Sequence, residues 1–281
     1  MSTPPKKLTV DFMTQFDKYA ANYEKFTGGS TRRIAEACIQ WLPPLSSSLR
    51  ILDSACGPGI VTSLILDRAS EHGVIPPPHI TAIDFAPGMI SQLETYKSVL
   101  GWNTVESRVL DAQRLEGMAN DNFDAIVMNF GIFMLPDAEL GAKEMQRVLK
   151  PGGMAIVTTW KSSGLIDLLI RVVRAIRPED EGRVIPMSKD WFTAEKVTNT
   201  MISGGFEETK VHLDVVHTTW QNSSIEELVD AVSGPFWQRI WEGWTEEEKG
   251  RWRSEIEKQM TEKERNECSL DLVAWVCVAT K

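Results

Sequence analysis

Cysteine is scarce in this chain. The four present are Cys38, Cys56, Cys268 and Cys277, and no two of them form a C-x-x-C pair. Such spacing suits neither a zinc site nor a disulfide framework, so reduced thiols and a cytoplasmic protein are expected, with no metal. Histidine is equally sparse: His72, His79, His212 and His217 are the whole supply. Basic residues do not cluster beyond Lys6-Lys7, and the formal net charge is −9. Nucleic-acid binding draws most of its affinity from basic residues, so that partner class is set aside. No apolar run is long enough to span a membrane. The opening residues, Met1 to Lys7, lack the apolar centre of a signal peptide. Internal repeats and low-complexity segments are also missing. What remains is 42% hydrophobic and 25% charged, an ordinary globular composition in a chain of 281 residues, ample for a real core.

Against that background one stretch stands out. Arg50-Ile51-Leu52-Asp53-Ser54-Ala55-Cys56-Gly57-Pro58-Gly59 begins apolar, meets a carboxylate and turns small. Val61, Leu64 and Ile65 follow at helical spacing, so the stretch reads as strand, tight turn and helix. Small residues let a ligand approach the backbone, and a helix start offers unpaired N–H groups. A dinucleotide site would want G-x-G-x-x-G, but Thr62 stands where its last glycine belongs. A carboxylate before the glycines repels a phosphate and suits an ammonium group.

The pattern Asp53-x-Ala55-x-Gly57-x-Gly59 resembles the first motif of the class I S-adenosylmethionine (SAM)-dependent methyltransferases, with alanine in place of the first glycine. If that position needs positive φ, the methyl costs roughly 1 kcal/mol. Cys56 fits the turn as a small buried residue. Further matches follow in order. Asp84-Phe85-Ala86-Pro87-Gly88-Met89 ends a second strand at an acid. The resemblance implies that Asp84 holds a ribose and that Phe85 and Met89 pack on adenine. Asp111-Ala112 corresponds to the position that receives the adenine amino group. Phe123 to Phe130 reads as a fourth strand, whose end at Asn129 and Phe130 flanks the transferable methyl in the family. Many relatives carry histidines near Ile132-Phe133; here the stretch is apolar, which removes an obvious base. Arg147-Val148-Leu149-Lys150-Pro151-Gly152-Gly153 is typical of the family and leads into a fifth strand, Met154 to Trp160.

The N-terminal stretch Phe16-Asp17-x-x-Ala20-x-x-Tyr23-Glu24 is similar to the cap of ubiquinone-biosynthesis-type enzymes, which places Tyr23 over the cofactor. Tyr23 to Gly28 also resembles fungal secondary-metabolism methyltransferases. A helix is expected from Asp11 to Tyr23, with Phe12 and Phe16 packing it onto the core, and another from Thr31 to Trp41. Residues 1–9 read as a tail.

The expected fold is α/β: a Rossmann-like, mainly parallel seven-stranded sheet whose last strand is antiparallel. One domain, 1–281, would comprise a cap (1–45), a SAM-binding core (46–160), two helices (161–206) and two last strands (207–281). The sixth strand is expected over Glu207 to Thr218 and the seventh over Leu270 to Val278. Between them, 219–267 reads as a helical lid. Ser223-x-x-Glu226 and Thr245-x-x-Glu248 look like capping boxes. Phe236, Trp237, Ile240, Trp241 and Trp244 form an aromatic stripe at helical spacing, either core or the roof of an acceptor pocket.

The expected function is SAM-dependent methyl transfer to O, N, S or C of a small, largely apolar metabolite, in secondary metabolism. Tyr23, Asp53, Ala55, Cys56, Gly57, Gly59, Asp84, Phe85, Met89, Asp111, Ala112, Asn129 and Phe130 would line the cofactor, and Phe133, Trp160, Trp237 and Trp241 the acceptor. No catalytic residue is assigned. A cyclase-like SAM-binding protein and a protein methyltransferase are the alternatives.

Overall fold

The computed structural model describes residues 14, 16–18, 20–184 and 187–281. Seven strands are β1 (Arg50–Ser54), β2 (His79–Asp84), β3 (Val105–Val109), β4 (Phe123–Asn129), β5 (Leu149–Ser163), β6 (Val211–Gln221) and β7 (Ser269–Thr280). They form one sheet in the order β3-β2-β1-β4-β5-β7-β6. β1 to β5 are parallel, and β7 runs antiparallel between β5 and β6. The helices are α1 (Tyr23–Phe26), α2 (Ser30–Cys38), α3 (Ile60–Glu71), α4 (Pro87–Leu100), α5 (Ala138–Val148), α6 (Gly164–Ile176), α7 (Ala194–Ser203), α8 (Ile225–Val232), α9 (Glu246–Gln259) and α10 (Glu262–Glu267). No helix among the described residues is long and apolar enough to cross a membrane.

A sheet covered on both faces needs strands that are apolar at every position. Ile51, Val127, Ile156 and Val276 face one way, towards Ile34 and Cys38 of α2 and Ile65 of α3. Their neighbours Leu52, Ile126, Val157 and Cys277 face the other, towards Met145 of α5 and Met201 of α7. A separate cluster forms where Leu168, Leu169 and Val172 of α6 meet Leu228 of α8, Ile240, and Trp252 and Ile256 of α9. The lid is therefore a small core of its own, seated on α6 and on Leu270 and Leu272 of β7.

Several boundaries shift from the sequence expectation. Phe12 and Tyr19 of the N-terminal helix, like residues 1–9, lie outside the described residues. Helical backbone at 14 and 16–18 gives way to a 3₁₀ turn, Ala20–Asn22, and then to α1. The sixth strand begins later than expected, because a 3₁₀ turn occupies Glu208–Lys210. The first lid helix is capped one residue on: Ser224 accepts from Glu227 N, while Ser223 N and Oγ donate to the Glu227 carboxylate. Thr245 and Glu248 form a reciprocal capping box, and so do Thr261 and Glu264, which the sequence reading passed over. The aromatic stripe is not on an α-helix. Trp237–Trp241 is a 3₁₀ turn, and a left-handed Gly243 separates it from Trp244. Pro235 before it and the left-handed Gly243 after it bound this short segment.

The cap is held to the far edge of the sheet. Arg33 donates to Thr218 Oγ1 at 2.9 Å and to the Gly28 carbonyl at 2.8 Å. A Cβ on Gly28 would stand 2.2 Å from Trp220 Nε1, so only glycine lets the chain pass there. At the other end Asp17 Oδ1 accepts from Gly88 N at 2.7 Å, at the start of α4. The cap thus bridges β6 and α4 across the strand ends.

Candidate active site

The carboxyl ends of β1, β2 and β4 converge beneath the cap. In an open parallel sheet this is where ligands bind, at the reversal of strand order. β1 ends in Asp53 and Ser54 and turns sharply at Ala55, φ +56°, Gly57, φ +54°, and Gly59, φ +93°. A Cβ on Gly57 would meet nothing within 4 Å, so its φ and not crowding calls for glycine. Ala55 pays the left-handed cost that its replacement of glycine implied. Next door, β4 is followed by a second left-handed non-glycine residue, Phe130, φ +58°. The two turns touch: a Cβ on Gly131 would lie 2.6 Å from the Ala55 Cβ.

Asp53 is 1% exposed. Its Oδ2 accepts from Thr62 N at 3.0 Å and from Thr62 Oγ1 at 2.7 Å, so the strand end caps α3. Its Oδ1 is buried without a partner. Burial pushes the Asp53 carboxyl up to about 7, against the lowering effect of the two Thr62 bonds. Asp84 binds both neighbouring turns: Oδ2 accepts from Gly57 N and Oδ1 from Ala86 N, each at 2.9 Å. Burial raises it too, to about 6, with the two backbone bonds opposing. The Cys56 thiol is held well above its ordinary range by burial and by the adjacent Asp53 and Asp84, and stays neutral. The Tyr23 hydroxyl is raised to about 12, chiefly by burial, and remains a donor.

A raised carboxyl means that the folded state binds protons which the unfolded state has released. The contribution of Asp53 is therefore present below about pH 4 and is lost as pH rises through about 7. Asp53→Asn keeps an acceptor for Thr62 and removes the titration. Its melting temperature relative to the parent, measured without ligand, is expected to rise between pH 5 and pH 8. A difference that does not change with pH would show that Asp53 carries no such strain.

These groups border a cavity of about 590 Å³. Of the residues expected at the cofactor, Tyr23, Ala55, Gly57, Asp84, Phe85, Met89, Asp111, Ala112, Asn129 and Phe130 line it. Asp53 and Cys56 lie behind the turn, on a recess of about 20 Å³ shared with Tyr23 and Asn129. Gly59 lines neither; it starts α3, where a Cβ would press on Leu93 at 3.1 Å. Asp111 is exposed at the cavity rim, and Gln113 N and Nε2 donate to its Oδ1 at 2.9 and 3.0 Å.

The four residues expected at the acceptor are not among the cavity's lining. Trp160 stacks on Phe130 at 4.1 Å and Phe133 meets the same ring edge-on at 6.4 Å, so both back the cavity wall. Trp237 and Trp241 belong to the lid core, Trp237 against Phe236 and Trp241 edge-on to Trp252. Phe16, read as packing alone, does line the cavity, and its ring lies 6.1 Å from that of Phe236. Met134, Leu135 and Pro136 also line it and were missed. Their position directly after the fourth strand was the available signal.

Residues 51–153 match the family model for a methyltransferase domain. Over 207 residues the chain is 30% identical to methyltransferase ucsB of an Acremonium species, covering 70% of each sequence. The chain belongs to the class I SAM-dependent methyltransferases. Methyltransferase tpcH of Aspergillus fumigatus is 26% identical over 162 residues, 57% of this methyltransferase and 52% of its relative, so the match spans about half of that protein. Among solved structures, Haemonchus contortus phosphoethanolamine N-methyltransferase 2, in complex with phosphomonomethylethanolamine and S-adenosylhomocysteine, aligns with a TM-score of 0.59 at 17% identity. That alignment covers 94% of this chain and 57% of the other. At that identity the likeness speaks for the methyltransferase fold alone.

Proposed function

We propose that this enzyme binds SAM across the ends of β1, β2 and β4 and methylates a small, largely apolar metabolite, in secondary metabolism. The observation that carries the reading is the pair of buried carboxylates around one left-handed turn, with Asp53 Oδ1 lacking a partner. An unpaired buried carboxylate oxygen is costly unless a ligand cation or donor meets it. The residues present fit the cofactor on that ground. Asp53 would face the amino-acid end and Asp84 the ribose hydroxyls. Phe85 and Met89 would pack on adenine, and Asp111 and Ala112 would border its amino group. Tyr23, still protonated, would donate from the cap.

When bound, SAM supplies an electrophilic methyl on a sulfonium. The chain's own part is orientation and exclusion of water, and alignment can supply roughly 7–11 kcal/mol of a barrier. Phe130, backed by Trp160 and Phe133, forms an apolar wall at the end of β4. Phe16, Met134 and Leu135 continue it. An apolar wall suits an acceptor with an extended carbon skeleton. Cys56 is buried and neutral, which fits a structural place in the turn and not a nucleophile. An amine or thiolate acceptor would need no protein base.

The test is incubation of the enzyme with methyl-labelled SAM and a metabolite extract, read by mass spectrometry. The expected result is a labelled product heavier than its precursor by one methyl in place of hydrogen, extractable into organic solvent. Label appearing only on protein would overturn the small-molecule reading.

A further inference from the structure

One polar chain inside the apolar core is absorbed by none of the roles above. Thr158, on β5 beside Asn129 in register, is fully buried. Its Oγ1 accepts from Phe130 N at 2.8 Å and lies 2.9 Å from Asn129 Oδ1. A hydroxyl has a single proton. Because Phe130 N–H already donates to this oxygen, the proton goes to the Asn129 carbonyl. That settles which way the amide faces, and Nδ2 donates to the Thr31 carbonyl of α2 at 3.1 Å. Every donor and acceptor direction in this relay follows from the backbone groups at its two ends.

Each bond has a separate effect. The first holds Phe130 in its left-handed conformation, which a phenylalanine rarely adopts. A buried backbone N–H at such a residue has no strand partner, and losing its acceptor would leave it unpaired. The last bond ties the strand end to the cap helix, at the residue whose side chain neighbours the Tyr23 hydroxyl. A valine would fill the same space as Thr158 and make neither bond.

We propose that Thr158 is a positioning residue for methyl transfer, which through Phe130 and Asn129 sets the end of β4 and docks the cap over it. The inference rests on the cofactor reading above. Thr158 is fully buried and does not line the cavity itself, so its effect travels through backbone shape.

The test compares the parent, T158V and T158S. Calorimetry measures S-adenosylhomocysteine binding, and hydrogen exchange of the ligand-free proteins follows peptides covering residues 20–31 and β1. T158V is expected to bind about tenfold more weakly, as for loss of a buried hydrogen-bond partner. Its cap peptides should exchange faster, while β1 keeps its protection. T158S, which restores the hydroxyl, should return both readings towards the parent. If T158V does not fold, N129D serves. It still accepts from Thr158 but has no donor for Thr31, so exchange should rise in residues 20–31 alone. Parental affinity and exchange in T158V, or no recovery in T158S, would overturn the proposal. Failure of the parent itself to bind S-adenosylhomocysteine would overturn the cofactor reading and this inference with it.

Discussion

Trp237→Ala is expected to lower stability by about 3–5 kcal/mol and to leave S-adenosylhomocysteine affinity unchanged. Trp237 is 8% exposed and packs edge-on to Phe236, whose ring stacks at 4.1 Å on Phe26 of the cap. It stands in the lid core with Ile240, Trp244 and Trp252, of which Ile240 and Trp252 are fully buried. Truncating it leaves a void bordered by rings that cannot close over it. The melting temperature should fall by roughly 2–4 °C per kcal/mol in a domain of this size. Trp241, half-buried and in contact with Trp252, should cost less. Thermal melts beside ligand titrations on the same proteins decide the matter. A variant that melts like the parent yet fails to process its acceptor would return Trp237 to the acceptor site.

Asp84→Ala should weaken S-adenosylhomocysteine binding roughly ten- to a hundred-fold, the ~1.5–3 kcal/mol associated with a charged hydrogen-bond partner. Each Asp84 oxygen already accepts one backbone N–H, from Gly57 and from Ala86, and each can accept a second bond. The alanine variant loses those second bonds, and it also frees Gly57 N, slackening the turn that the ligand rests on. Asp84→Asn separates the two effects, since an amide can still accept one of the backbone bonds. Its affinity should lie between parent and alanine. Equal affinity in a folded Asp84→Ala would refute the place given to ribose.

The parts of the site that the sequence made legible are those built from neighbours in the chain. Asp53, the turn after it and Asp84 each follow a strand whose apolar run is unmistakable, and a strand end fixes where the next side chain points. Asp111-Ala112 follows a short and largely polar strand, Val105–Val109, and was readable only through the resemblance to the family. What escaped depends on contacts between distant segments. Asp53 spends one oxygen on Thr62, which spacing alone does not reveal. Phe16 lines the cavity beside Asp17, which ties the cap to Gly88, and against Tyr23 and Phe236. Thr158 looks like any strand threonine until β5 lies beside Asn129. The lid's tryptophans left core and pocket roof both open, and their path was not legible: Trp237–Trp241 is a 3₁₀ turn whose rings pack into the lid core.

β6 and β7 are adjacent in the sheet and successive among the strands, with Gln221 opposite Ser269. Residues 222–268 therefore depart from and return to one point, as an excursion at the tip of what would otherwise be a plain hairpin. Equilibrium tolerates such an excursion easily, since closure entropy grows by only about 0.6 kcal/mol per doubling of loop length. Kinetics does not: pairing residues this far apart in the chain slows the step that completes the sheet. The β6–β7 pair should be among the last contacts to form during refolding, and a short turn joining 221 to 269 would hasten it. The excursion is not cut off from the site, because Phe236 stacks on Phe26 and lies 6.1 Å from the Phe16 ring that lines the cavity. Through Phe236, a change in the length of the excursion is passed to the cap and so to the cavity wall.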